Sequence, residues 1–258
     1  MTIHFTDFEG TYRRLIDLKA WDPRTVVGWL EDDYHHFGIT LVHDGARITD
    51  LRVAEPRYPW TACPGAAEPL KSLIGKPLFG RCADVGQYID MRLQCTHLFD
   101  LAGLLAAHAY HQRDHHRYHA VVSRVDTVEP AAPKGWVRGS LSRDGATSLA
   151  WDVELDSGAI LQPAEAAGKS IDRGFREWIE GMDEARAEQA FVLRRAIFVS
   201  RGRKITLTEP HVANDMGMPP VCHNHQPGQR MASVRILESI RRFNAGPAGM
   251  LALVDTKP

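Results

Sequence analysis

The chain has 258 residues, 44% hydrophobic and 24% charged, which is enough apolar side chain for a sizeable core and lies outside disordered, collagen-like and coiled-coil compositions. Its 31 Lys and Arg nearly balance 32 Asp and Glu. The formal charge of -1 provides no global field to draw in nucleic acid or an anionic membrane.

Residues 1–17, MTIHFTDFEGTYRRLID, lack the basic start, apolar run and small-residue cleavage site of a secretory leader. β-Branched and aromatic residues predict strands over Tyr12 to Leu18, Val26 to Glu31 and Tyr34 to Val42. Asp44-Gly45 predicts a hairpin turn into a further strand from Ile48 to Val53. Arg57-Tyr58-Pro59-Trp60 and Cys63-Pro64-Gly65 break this meander, and Glu68 to Ile74 reads as a short helix ended by Gly75. Leu98, Leu101, Leu104 and Leu105 recur at helical spacing behind Thr96, which predicts a helix over 97–111 with Thr96 as its cap. The apolar stretch from Leu98 to Tyr110 is too short to cross a bilayer, which takes about 20 residues.

Strand signals resume over Tyr118 to Val125, Gly135 to Ser142 and Ser148 to Leu155, with Asp144-Gly145 as another hairpin turn. Asp126 to Lys134 is the one linker-like run. Phe175, Trp178, Ile179 and Met182 predict an amphipathic helix, Ala190, Leu193 and Ile197 a second, and Met231 to Phe243 a third. Strands, helix, strands and then helices do not give βαβ alternation. The expected class is therefore α+β, a curved antiparallel β-sheet in two strand groups packed against several helices. The whole chain, 1–258, reads as one domain, with 1–125 as its core and 126–258 adding the second strand group, the helices and a C-terminal loop. Cys63, Cys82, Cys95 and Cys222 are widely spaced and form no CxxC pair, which fits reduced thiols and a cytoplasmic location.

The common nucleotide-binding, hydrolase and zincin signatures are missing, whereas histidine is abundant, with 13 residues. Imidazole is the side chain best suited to proton transfer at neutral pH and to metal ligation. Strand alternation sets His35 with Phe37, Ile39 and Leu41 on one face, and Tyr34 with His36 on the other. His97 falls in the first turn of the predicted helix, where the positive end of the macrodipole favours a neutral imidazole able to accept a proton. Cys95 at the same helix start is a weaker candidate nucleophile. The polar run from Tyr110 to His119 reads as a solvated corner. Cys222, His223 and His225 are competent zinc ligands at a spacing that matches no usual frame. Tyr58 and Trp60 sit in a proline-stiffened loop where they can stack on a planar ligand, with Arg57 placed to orient an anionic group.

The phrases YHHFGITLVHDG, RYPWTACPGA, LIGKPL and CTHLFDLAGLLAAHA, taken in order, resemble a bacterial family defined only as a domain of unknown function. The resemblance covers about residues 10 to 125 and singles out His35, Cys63, Cys95, Thr96 and His97. It also implies a relationship to lyases that act on lignin-derived aromatic dimers. The expectation is a cofactor-independent carbon–carbon lyase acting on a small hydroxylated aromatic compound and releasing formaldehyde. In this reading His35 and His97 form the acid/base pair, Tyr34 or Tyr58 is a phenolic partner, and Arg57, Trp60, His223 and His225 contact the substrate. No metal, cofactor, nucleic acid or membrane is expected, and self-association is left open. The alternatives are a metal-dependent hydrolase or oxygenase with His35, His97 and His223 or His225 as ligands, and a non-enzymatic module binding an aromatic ligand or a protein through Tyr58, Trp60 and Trp21.

Overall fold

Alternation of apolar and polar side chains, punctuated by Asp-Gly turns, produces the strands of the chain in a computed structural model that describes residues 4–125 and 135–258. The linker-like run Asp126 to Lys134 and the first three residues of the N-terminal stretch lie outside the described residues. The strands are β1 (His4–Phe5), β2 (Thr11–Asp22), β3 (Thr25–Asp32), β4 (His36–His43), β5 (Ile48–Arg57), β6 (His115–Arg124), β7 (Trp136–Arg143), β8 (Ala146–Glu154), β9 (Ile160–Gln162) and β10 (Ile205–Thr206). The helices are α1 (Ala67–Leu70), α2 (Thr96–Tyr110), α3 (Phe175–Glu180) and α4 (Glu184–Ser200). Eight strands hydrogen-bond in the order β5-β4-β3-β2-β6-β7-β8-β9 as an open antiparallel sheet, and β1 pairs with β10. With its helices this is the expected α+β class.

The chain divides into two compact units, one of residues 1–15, 117–206 and 242–248, the other of 16–116, 207–241 and 249–258. In the first unit α4 packs on β7, where Gly139 leaves room for Ile197 and Leu193. Trp151, Phe175 and Trp178 form an aromatic cluster there, with ring centres 5.5 to 6.3 Å apart.

In the second unit β3, β4 and β5 form an antiparallel meander. Gly28 on β3 lets α2 approach, since a Cβ there would meet Leu101 and Leu105 at 3.0 Å. Residues 96–109 of α2 are all buried, so the helix is a core element on every side. Its cap is Cys95, which has extended backbone angles and makes no side-chain cap bond, and Thr96 is the first helical residue. The expected Thr96 cap is thus one residue out, and His97 remains in the first turn. On the other face of the meander, the indole of Trp29 donates to the Thr256 carbonyl at 3.0 Å and the Thr40 hydroxyl to the Pro258 carbonyl at 3.2 Å.

The helix expected over Met231 to Phe243 is corrected by the structure. The segment is mostly irregular, with one 3-10 turn at Leu237–Ser239. Val234 and Arg235 instead form isolated bridges with Val212 and Trp60. The Ser233 hydroxyl donates to Asn224 at 3.0 Å. These long-range partners occupy the groups a helix would have used locally. The helix expected over Glu68 to Ile74 is α1 followed by a 3-10 turn at Lys71–Leu73, and Gly75 ends it at a φ of +85°.

Candidate functional site

The turn between β3 and β4 is tied by one carboxylate. Asp32 Oδ1 accepts from the backbone N–H of Tyr34 at 2.8 Å and of His35 at 2.9 Å, the bond pattern of an Asx turn. The same oxygen lies 2.9 Å from His35 Nδ1, and the Asp32 N–H donates to the His35 carbonyl at 2.9 Å. With Nδ1–H donated to the carboxylate, Nε2 of a neutral His35 is the proton-accepting atom. Asp32 also stabilises the imidazolium that forms when Nε2 takes a proton.

α2 brings His97 against this turn. The two imidazoles stack with ring centres 3.7 Å apart and planes inclined by 26°. Phe37 borders both, 5.5 Å from the His35 ring and 6.3 Å from the His97 ring. His35 and His97 are each 7% exposed and Asp32 is fully buried. Two adjacent imidazoles, one of them backed by a carboxylate, can take a proton from a substrate and return it.

One donor atom each from Asp32, His35 and His97 lies within 4.8 Å of the others, and among the described residues this is the one such group of three or more His, Cys, Asp or Glu. These three side chains could hold a metal ion. Cys222, His223 and His225 do not belong to the group.

The other candidates are distributed around this pair. Tyr34 contacts His35 edge-on at 6.1 Å. The Arg235 guanidinium lies over both Tyr34 and Trp60, 5.4 and 5.3 Å from their ring centres. Trp60 meets His225 edge-on at 5.8 Å, and Tyr58 packs on the cluster of Trp60, Cys63 and Ala213. His223 is brought to the start of α2, where its N–H donates to the Gln94 carbonyl at 2.9 Å. Burial lowers the His225 pKa below the ordinary imidazole value. Burial also raises the Cys95 thiol well above the usual range, and the Cys63 thiol to about 12. Both are protonated at neutral pH, which removes the chemical basis for Cys95 as a nucleophile.

His36 lies on the face opposite His35, 5.3 Å from the Trp29 ring and 3.8 Å from Glu31. Arg57, expected to orient a substrate, is committed to the frame. It donates to Glu31 Oε1 at 3.0 Å and to the carbonyls of Asp32, Asp33, His35 and Ser239 at 2.6 to 3.1 Å. Its role is to hold the backbone of the Asp32–His35 turn. Two residues beside the pair carry little signal in the sequence: Asp32 stands three positions before His35 in a turn, and Arg235 has none, because its aromatic partners are distant in sequence. A shallow cleft in the first unit, lined by Asp7, Phe8, Arg124, Gly135 and Trp136, shares no residue with this site.

Residues 14–111 match a family described as "Protein of unknown function (DUF2889)". The matched stretch contains Asp32, His35, Glu55, Arg57 and His97, and the match supports the expected resemblance to a domain-of-unknown-function family. A search of curated proteins finds no match to this chain.

Proposed function

We propose that this protein is a lyase that cleaves a carbon–carbon bond in a small hydroxylated aromatic compound of the lignin-derived kind, using acid/base chemistry of its own side chains. The observation that carries the reading is the buried Asp32–His35–His97 stack. The reaction converts R–CH2OH to R–H and formaldehyde, so no external oxidant or reductant is needed. His35 Nε2, backed by Asp32 and in contact with His97, takes the hydroxyl proton. The C–C bond breaks as the O–H electrons form the formaldehyde carbonyl, and the released pair stays on the carbon conjugated to the ring until a proton returns there. Tyr34, Trp60 and Arg235 form the aromatic and cationic wall that receives the ring and any phenolate or carboxylate on it. His223 and His225 border it from the neighbouring turn.

The test is formaldehyde release from a panel of aromatic primary alcohols by wild-type protein and by His35→Ala and His97→Ala. Each substitution is expected to lower turnover about 10²–10⁴-fold with the fold retained. Wild-type turnover that survives both substitutions would overturn the assignment.

A further inference from the structure

The carbon that loses formaldehyde must regain a proton, and an acid on its other side can supply it, the proton taken up by His35 then passing through solvent to reset that acid before the next turnover. We propose that Glu55 is that donor, a catalytic acid working opposite the His35–His97 pair; this inference rests on the lyase reading.

The placement follows from a bulge in β5. His36 pairs with Arg57, but Gly38 pairs with Ala54, so Glu55 and Pro56 together oppose the single residue Phe37. Val53, two residues before Glu55, pairs with Ile39, and Ile39 pairs with Gly28, the residue on which α2 rests. Alternation therefore turns Glu55 toward the α2 face, beside Phe37, whose ring borders both His35 and His97. Bulges recur beside active sites, where they re-aim one side chain, and Pro56 has no N–H to lose from the interrupted ladder.

The chemistry of the side chain fits the role. Glu55 is half-buried, and its Oε1 is buried with no hydrogen-bond partner among the described residues. Arg57, the nearest cation on the strand, turns to Glu31 and backbone carbonyls instead. Of the other titratable groups on elements packed around it, Cys63 is a neutral thiol, His35 pairs with Asp32, His97 stacks on His35, and Lys71 of the 71–73 turn pairs with Glu68. Desolvation alone lifts the carboxyl to about 7, so a large fraction holds its proton at neutral pH.

The experiment compares formaldehyde release against pH for wild type, Glu55→Gln and Glu55→Asp, with product analysed after reaction in D2O. Wild-type rate is expected to fall as pH rises through about 7, because the acid form is lost. Glu55→Gln is expected to lose about 10²–10⁴-fold in kcat and to lose that alkaline limb. Its affinity for the aromatic alcohol, read by tryptophan fluorescence, should be unchanged. Glu55→Asp should regain part of the rate with the limb displaced, which a purely structural role would not produce. Deuterium is expected at the ring-conjugated carbon of the product. An active wild type whose alkaline limb survives in Glu55→Gln and stays in place in Glu55→Asp overturns the Glu55 assignment and leaves the lyase reading standing. A wild type that releases no formaldehyde from the panel overturns both.

Discussion

Arg57→Met separates two roles for the same side chain, strut or substrate clamp. In the structure the guanidinium is 8% exposed and Glu31 1% exposed, and the pair is joined at 3.0 Å with four backbone carbonyls as further acceptors. Removing one partner of a buried ion pair costs about 3–5 kcal/mol, because the other charge is left without compensation. Glu31 keeps the Leu251 N–H and the nearby His36, which places the loss toward the lower end, about 3 kcal/mol. For a chain of this length each kcal/mol is worth about 2–4 °C, so the melting temperature should fall by roughly 10 °C. Thermal melts followed by circular dichroism provide the assay. A melting temperature within about 2 °C of wild type, accompanied by a raised KM, would refute the strut and return Arg57 to the substrate.

Burial lowers His108 to about 4, below its unfolded value of about 6.5, so the unfolded chain binds the extra proton first as pH falls. Stability from this residue is full above about pH 6.5 and declines down to about 4, and His108→Leu should flatten that part of a stability–pH curve. Gly103→Ala would place a Cβ 2.3 Å from the Cys82 carbonyl oxygen and 3.0 Å from Val85, and should cost about 1–3 kcal/mol in denaturant unfolding. Gly28→Ala, which meets only side-chain carbons of Leu101 and Leu105 near 3.0 Å, should cost less. Alkylation of the native protein at pH 8 should modify Cys222 before Cys63, Cys82 or Cys95, as Cys222 alone of the four is not buried. Early labelling of Cys95 would restore it as a reactive thiol.

The elements whose structure depends on local pattern were legible in the residues. Period-two alternation and the Asp-Gly turns fixed β3 to β5 and β6 to β8, and the leucine spacing fixed α2. That His35 and His97 are adjacent depends on how α2 packs against the β3–β4 turn, which no local pattern shows; the two rings stack at 3.7 Å. The rest depended on distant partners. Met231 to Phe243 has helical spacing, yet Ser233, Val234 and Arg235 are held by Asn224, Val212 and Trp60. Arg57 looked like a ligand clamp because its acceptors are carbonyls, which have no signature in a one-letter sequence. Glu55 was hidden because alternation cannot show where a strand is bulged.

The central claim is that buried imidazoles, backed by Asp32, carry the chemistry without a metal. Its most direct test is formaldehyde release from aromatic primary alcohols by protein purified without a histidine tag, measured before and after exhaustive chelation, with zinc, iron, manganese and copper quantified in the same samples. Turnover that is unchanged after chelation, at substoichiometric metal, is the predicted result. Stoichiometric metal, with turnover lost on chelation and restored on re-addition, would contradict it and make His35 and His97 ligands.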